Sequence, residues 1–282
     1  MEAAFFDLDK TVIARASMVA FGRPFRRQGL ISRRLMARAL WGQLVYMYLG
    51  ADEEKLARMR ESVLALTKGW DQSVVRTTVR EALTDVVTPI IYAEALELIE
   101  QHRAAGRRIF IVSASPEEIV IPLSQHIGAD EAIASRARID AGGRYTGEMA
   151  FYAYGQQKAE AMREVAARQG IDLAASYAYS DSATDLPMLE AVGHPVAVNP
   201  DRELLRAARQ RDWEIRRFER PIRLRDRLSA PPPAPTAVGA TALVAGGLAL
   251  AWWKRRHHVT PPPVTKPLRR LAASWPPRLP GR

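Results

Sequence analysis

The sequence predicts a three-layer α/β fold, in which helices cover both faces of a mostly parallel sheet. Short apolar runs alternate with amphipathic helical patterns from about residue 86 onward, and this alternation is typical of parallel sheets. A further helical stretch, at about residues 15–85, separates the first apolar run from Pro89 and carries no strong strand pattern. The chain has 282 residues, of which 48% are hydrophobic, so it is long enough to bury a sizeable core.

The predicted strands are short, apolar runs, and several of them end directly before small polar or acidic residues. The first is Ala3–Phe6, which stops at Asp7. The others are Arg108–Val112, Ala132–Ile139, Arg144–Glu148, Ser176–Tyr179, Pro195–Val198 and Trp213–Arg217. Strands that are buried on both faces form near-continuous apolar runs, so we expect helices on each side of this sheet.

The predicted helices of the core alternate with these strands. They are Ile90–Ala105, Pro116–His126, Gln156–Gln169, Asp185–Val192 and Arg202–Gln210. Gly106 and Gly170 stand directly after the first and third of them, where glycine commonly ends a helix. The order of strands and helices therefore predicts a parallel sheet with helical connections.

The helical stretch before Pro89 is predicted to form a cap inserted over the edge of the sheet. Its helical patterns are Leu30–Leu49, Asp52–Thr67 and Asp71–Leu83. The core then comprises about residues 1–14 and 86–226, and the cap comprises about residues 15–85.

Composition excludes several classes of function. The chain has no cysteine, which rules out disulfides, thiolate metal sites and a cysteine nucleophile. The net charge of +10 suggests nucleic-acid binding, but from Arg227 onward there are nine Lys/Arg and no Asp/Glu, so the first 226 residues are nearly neutral. The basic region has neither a dense basic run nor an aromatic stacking platform, and we expect no nucleic-acid partner.

The segment after residue 226 differs in character from the globular body. Residues 227–235 form a proline-rich linker, and residues 254–282 form a basic, proline-rich tail that we expect to be disordered. Between them, residues 236–253 carry no charge and precede a basic cluster, which predicts a single hydrophobic helix that anchors the chain to a membrane. The amino terminus lacks the regions of a secretory signal, so the globular body is predicted to be cytoplasmic.

Two carboxylates follow the first predicted strand. Asp7 and Asp9 lie two residues apart, at the edge of an open α/β sheet where reactive sites form. One carboxylate can bind a hard cation and attack phosphorus, while the other can transfer a proton. The alternative interpretation is that these residues only form a turn after the strand.

Three further groups are predicted at the same edge. Ser113 ends a strand just before a helix, where a phosphate oxygen can be held. Lys158 lies at the start of a helix, which is unfavourable for a cation unless an anion is nearby. Asp181 and Asp185 follow a third strand, and carboxylates of this kind suit Mg²⁺. Each group alone also fits an ordinary structural role, as a helix cap or as a solvated lysine.

Together these residues follow a familiar order along the chain. The segments 5–12 (FFDLDKTV) and 180–189 (SDSATDLPML) are specific motifs, and Ser113 and Lys158 lie between them. Over about residues 1–220 the sequence resembles the haloacid dehalogenase superfamily of phosphatases. Within it, the chain is most similar to subfamily IB, the phosphoserine phosphatase-like enzymes, which carry a helical (C1-type) cap after the first motif.

The resemblance implies a Rossmann-like core and a Mg²⁺-dependent phosphomonoester hydrolase acting on a small phosphorylated substrate. It implies that Asp7 attacks phosphorus to form an aspartyl-phosphate, and that Asp9 transfers the proton. It also implies that Mg²⁺ is held by Asp7, by the backbone carbonyl of Asp9 and by Asp181, with support from Asp185. The implied phosphate-binding residues are Thr11, Ser113, Ala114 and Lys158.

Departures from the family pattern leave the substrate open. Phosphoserine phosphatases carry a glutamate in the cap that recognises the substrate amino group, whereas the matching position here falls near Ala16 and Ser17. Phosphoserine stays the first expectation. A lipid or other small-molecule phosphate at the membrane is the alternative, because residues 35–49 are rich in apolar side chains and several arginines lie just before or among them. The non-enzymatic alternative is a membrane-tethered scaffold with an inactive phosphatase fold.

Overall fold

The structure is a computed structural model that describes residues 1–32 and 61–221. All of them belong to the first of the two structural units of the chain, Met1–Ser229. The predictions for residues 33–60 and 222–282, which include most of two cap helices, the linker, the hydrophobic segment and the basic tail, lie outside the described residues. In the described ranges, no helix is long and apolar enough to cross a membrane. The membrane anchor at residues 236–253 therefore stays a prediction.

The described residues form one seven-stranded sheet with the order β4-β3-β2-β1-β5-β6-β7. Its strands are β1 (Ala3–Phe6), β2 (Arg108–Pro116), β3 (Glu131–Ile139), β4 (Tyr145–Phe151), β5 (Tyr177–Ser180), β6 (His194–Val198) and β7 (Glu214–Arg216). Only β4 runs antiparallel to its neighbour, and the other neighbouring strands pair in parallel. The predicted mostly parallel sheet is confirmed.

The helices connect these strands. They are α1 (Ser17–Ala20), α2 (Gly22–Arg27), α3 (Gln72–Val87), α4 (Ala93–Ala104), α5 (Glu117–His126), α6 (Gln156–Gln169), α7 (Leu186–Leu189) and α8 (Arg202–Gln210), and residues 61–67 are also helical. The bounds of α6 and α8 match their predicted bounds. The helix predicted over Asp185–Val192 is shorter at both ends: a 3₁₀ turn capped by Ser182 includes Asp185, and α7 ends at Leu189.

The start of α4 also differs from the prediction, which placed it at Ile90. Thr88–Ile90 forms a 3₁₀ turn containing Pro89, and Ile91 is extended. Residues 90–92 then pair with the loop after Asp9: Tyr92 N donates to Val12 O at 2.9 Å and Ala14 N donates to Ile90 O at 2.7 Å. These bonds hold the end of that loop against the core.

The strands bury apolar side chains on both faces of the sheet, as a three-layer fold requires. On one face, Phe6 stacks on Tyr179 with ring centroids 4.4 Å apart, in the cluster that includes residues of α3, α4 and α5. On the other face, Phe5 stacks on Phe110 at 4.9 Å, in the cluster that includes residues of α6, α7 and α8. Central strand β1 is fully buried, which fixes the backbone just before Asp7.

The turn between α7 and β6 has no space for a side chain at Gly193. A Cβ atom there would lie 1.8 Å from the backbone oxygen of Ala174. We expect Gly193→Ala to lower the free energy of unfolding by about 3 kcal/mol or more, because a backbone atom cannot move aside as a side chain does. Gly142→Ala, in an exposed turn, is the control and should change it by less than about 0.5 kcal/mol. Equal stabilities of the two variants in urea titrations would contradict this packing.

Candidate active site

The parallel register brings the predicted site residues to one edge of the sheet. In β1, Phe5 lies opposite Phe110 of β2 and Ala178 of β5, so the carboxyl ends of these three neighbouring strands coincide. Asp7 follows β1, and its backbone N–H donates to the carbonyl of Tyr179 in β5 at 2.9 Å. The loop after β5 then carries the second acidic motif to the same edge.

Lys158 joins two carboxylates that come from different motifs. Its Nζ donates to Asp7 Oδ1 at 2.6 Å and to Asp185 Oδ2 at 2.8 Å. The Lys158 side chain is only 3% exposed. Gly155, with a φ of +55° that favours glycine, precedes α6 and places Lys158 in its first turn. The anion expected beside Lys158 is therefore a pair of protein carboxylates.

Several ionisable side chains lie close together around Lys158. Burial raises the pKa of Asp7 well above its usual value; Lys158 opposes this rise, whereas Asp185 and Asp181 add to it. Burial alone would lower the pKa of Lys158, but Asp185 and Asp7 outweigh it and raise the pKa. Lys158 therefore stays protonated, and the three carboxyl groups of Asp7, Asp181 and Asp185 share the field of this one cation.

Asp9 is held by two serines that the sequence interpretation did not assign to the site. Its Oδ1 accepts from Ser17 N at 2.7 Å, and its Oδ2 accepts from Ser115 Oγ at 2.8 Å. Burial raises the pKa of Asp9, and the hydrogen bonds from both serines oppose that rise. A carboxyl group with a raised pKa suits the role of proton donor.

The loop after Asp9 turns back sharply. Lys10 has a φ of +65°, and both Val12 N and Ile13 N donate to Leu8 O. Thr11 is buried in this turn, and its Oγ1 has no hydrogen-bond partner among the described residues. A buried hydroxyl in this state is available to a ligand, which agrees with the phosphate-binding role predicted for Thr11.

Asp181 is buried beside this loop. Lys10 Nζ lies 3.9 Å from Asp181 Oδ2. Burial, with a contribution from Asp185 and against the opposing charge of Lys10, raises the pKa of Asp181 to about 7. Asp185 is held from two sides, because Ser180 Oγ at 2.7 Å and Lys158 Nζ at 2.8 Å both donate to its Oδ2.

The predicted magnesium site depends on a small set of oxygen donors. In residues 1–32 and 61–221, no group of three or more His, Asp or Glu side chains is arranged to hold a metal ion. The arrangement that the resemblance implies, however, would need only two carboxylates, Asp7 and Asp181, together with the backbone carbonyl of Asp9. These are hard oxygen donors, so the residues present fit Mg²⁺.

Ser113 and Ala114 lie where the sequence predicted, but within a longer strand. β2 runs past its predicted end at Val112 because Ser113 and Pro116 still pair with β3, with a register shift between them. The side chain of Ser113 is buried, and its Oγ accepts from Ser115 N at 3.1 Å. Ser115 had no sequence signal of its own, because it lies beyond the predicted strand end at Val112 and next to the register shift.

Comparison with known proteins adds to this geometry. A model of the haloacid dehalogenase-like hydrolases matches residues 4–190. The chain belongs to the haloacid dehalogenase-like hydrolase family. The match begins within β1 and ends just after α7, so it covers both acidic motifs and the residues between them. The prediction from the sequence is thereby confirmed at the level of the family, while subfamily IB stays a prediction.

Relatives of this hydrolase include named phosphatases. A probable phosphatase of Mycobacterium tuberculosis is 49% identical over 253 residues, covering 88% of this chain and 88% of that protein. A phosphoserine phosphatase of the same species is 34% identical over 253 residues, covering 88% of this chain and 79% of the relative. This hydrolase is therefore an enzyme of the phosphatase type.

A solved structure shows the same fold. It is described as a phospho-aspartyl intermediate analogue of phosphoserine phosphatase, with a TM-score of 0.56 and 20% identity. The similarity covers 80% of this chain and 97% of that chain. It confirms the Rossmann-like α/β architecture of this hydrolase.

Proposed function

We propose that this chain is a Mg²⁺-dependent phosphomonoesterase that acts through an aspartyl-phosphate on Asp7. The observation that carries the proposal is the buried bridge from Lys158 to Asp7 and Asp185. It places the carboxylate of Asp7 beside the fixed cation of Lys158 at the edge of the sheet. Asp7 can then attack a phosphoryl group while Lys158 compensates the negative charge of that group. The same bridge argues against the scaffold alternative, because buried charges lower stability and occur most often at functional sites.

The reaction has two halves. In the first, an oxygen of Asp7 bonds to phosphorus, the ester P–O bond breaks, and Asp9 gives its proton to the leaving oxygen. In the second, water bonds to phosphorus, Asp9 takes a proton from that water, and the bond between phosphorus and Asp7 breaks. Phosphate leaves, and both aspartates return to their initial states.

The other site residues bind the phosphoryl group and the metal. Lys158 and the hydroxyls of Thr11 and Ser113, with the backbone at Ala114, would hold the non-bridging oxygens. Asp7, Asp181 and the Asp9 carbonyl would hold Mg²⁺, which when bound neutralises charge on the phosphoryl group. Asp185 supports this arrangement indirectly, because it accepts from Lys158.

The proposed substrate is a small phosphomonoester, with phosphoserine as the first candidate because a relative carries that name. Ser17 lies near the position where the family pattern has a glutamate for the amino group, and Ser17 contacts Asp9 instead. Recognition of an amino group would then depend on other residues. The lipid-phosphate alternative depends on residues 35–49 and 236–253, which lie outside the described part of the chain.

Phosphate release from a panel of substrates tests the proposal. The panel contains phosphoserine, other small phosphomonoesters and lysophosphatidate, each with Mg²⁺ and with excess EDTA. We expect Mg²⁺-dependent release from at least one small phosphomonoester and none in EDTA. Preference for lysophosphatidate would favour the lipid alternative. Release that persists undiminished in EDTA would contradict the role of the metal.

A further inference from the structure

Two serines fasten the carboxyl group of Asp9 from separate parts of the chain. Ser17 begins α1, and Ser115 lies near the end of β2. Besides the bonds from Ser17 N and Ser115 Oγ, Ser17 Oγ lies 3.3 Å from Asp9 Oδ2 and 2.8 Å from Ser115 Oγ. Both carboxyl oxygens are therefore engaged, and the two hydroxyls also contact each other.

The position of Ser115 depends on an irregularity in the sheet. The register between β2 and β3 shifts between Ser113 and Pro116. Such irregularities bend a strand and re-aim a side chain, and they are frequent beside active sites. The hydroxyl of Ser115 consequently points to Asp9 from a strand that is otherwise an ordinary buried core strand.

A pair of hydroxyls has a property that a backbone N–H lacks. A hydroxyl can donate or accept, and it changes role by rotating about its C–O bond. With Asp9 ionised, Ser115 donates to Oδ2 and Ser17 donates to Ser115 or to Oδ2. The two hydroxyls can therefore exchange the hydrogen bond between them without releasing Asp9 Oδ2.

We propose that Ser115 and Ser17 are positioning residues, which hold the Asp9 carboxyl group in the orientation for proton transfer during both halves of the reaction. This inference rests on the proposed function, in which Asp9 first gives a proton to the leaving oxygen and then takes one from water. Neither serine contacts phosphorus in this scheme. Ser115 contributes through its hydroxyl alone, whereas Ser17 also contributes its backbone N–H.

The test compares two substrates of similar shape, phenyl phosphate and 4-nitrophenyl phosphate. The first has the more basic leaving group and depends more on a proton donor. We expect Ser115→Ala to lower kcat/KM about 10- to 100-fold for phenyl phosphate and about 3-fold or less for 4-nitrophenyl phosphate. Ser115→Thr, which keeps the hydroxyl on a strand where β-branched residues fit, should recover most of the loss. Ser17→Ala should show a smaller loss with the same selectivity, because its backbone N–H remains.

Ser124→Ala is the matched control. Ser124 is a buried serine whose hydroxyl donates to Val120 O within α5, away from Asp9. The Ser124→Ala variant should change the rates on both substrates equally or not at all. Thermal melting of each variant shows whether it is folded. Equal losses on both substrates for Ser115→Ala and Ser17→Ala, or no loss, would overturn the positioning role while leaving the proposed function in place. A wild-type chain that hydrolyses neither these two substrates nor any phosphomonoester of the panel would instead overturn the proposed function, and this inference with it.

Discussion

Replacing Asp7 with asparagine is expected to lower phosphate release by at least about 10⁴-fold, because the amide has no nucleophilic carboxylate oxygen. The fold should remain. Burial and neighbouring carboxylates raise the pKa of Asp7, so its ionised form disfavours the folded state at neutral pH. Asparagine removes that charge, and the variant should melt at a temperature no lower than the wild type. Initial rates and thermal melts measure the two effects.

Asp130→Asn is the control for this substitution. The side chain of Asp130 accepts from Ile109 N at 2.7 Å, near the amino end of β2 and away from the catalytic edge. Its rates should match those of the wild type. If the Asp7→Asn variant kept wild-type activity, another group would have to attack phosphorus.

Replacing Lys158 with methionine should damage both activity and stability. The substitution removes the cation between Asp7 and Asp185 while keeping a side chain of similar length. Loss of one partner from a buried ion pair leaves unpaired charge, which costs about 3–5 kcal/mol. We also expect kcat/KM to fall about 100- to 1,000-fold, because the phosphoryl group loses a fixed positive charge. Urea titration and steady-state kinetics provide the two measurements.

A double variant separates the two roles of Lys158. Lys158→Met with Asp185→Asn removes the charge left unpaired on Asp185, so stability should partly return. Activity should not return, because the cation is still missing. Recovery of activity along with stability would mean that Lys158 only supports the fold.

Much of the fold and the main acidic residues were predictable because they depend on local patterns. The apolar run Ala3–Phe6 followed by Asp7 marks a buried strand and its reactive end, whatever the rest of the chain does. The helix Gln156–Gln169 was predicted with its observed bounds because Gly170, with a φ of +66°, ends it clearly. Lys158 was assigned to the site from its position between the two acidic motifs, because by itself it fits a surface lysine.

The contacts between distant residues were not predictable in the same way. Ser17 and Ser115 are 98 positions apart and meet only because the sheet brings β1 beside β2. No local pattern marks a serine that will contact Asp9. The same reason applies to Asp185, which was predicted to support the metal. Its bond to Lys158 depends on the packing of α6 against the loop after β5.

The formation of a phosphorylated Asp7 is the central claim, and trapping tests it most directly. The enzyme is mixed with a substrate that it hydrolyses, quenched in acid during turnover and treated with borohydride, which reduces an acyl phosphate to an alcohol. Peptide mass spectrometry should then find homoserine in place of Asp7, in the wild type and not after incubation without substrate. Turnover at full rate with unmodified Asp7, or with the modification on another carboxylate, would contradict the account.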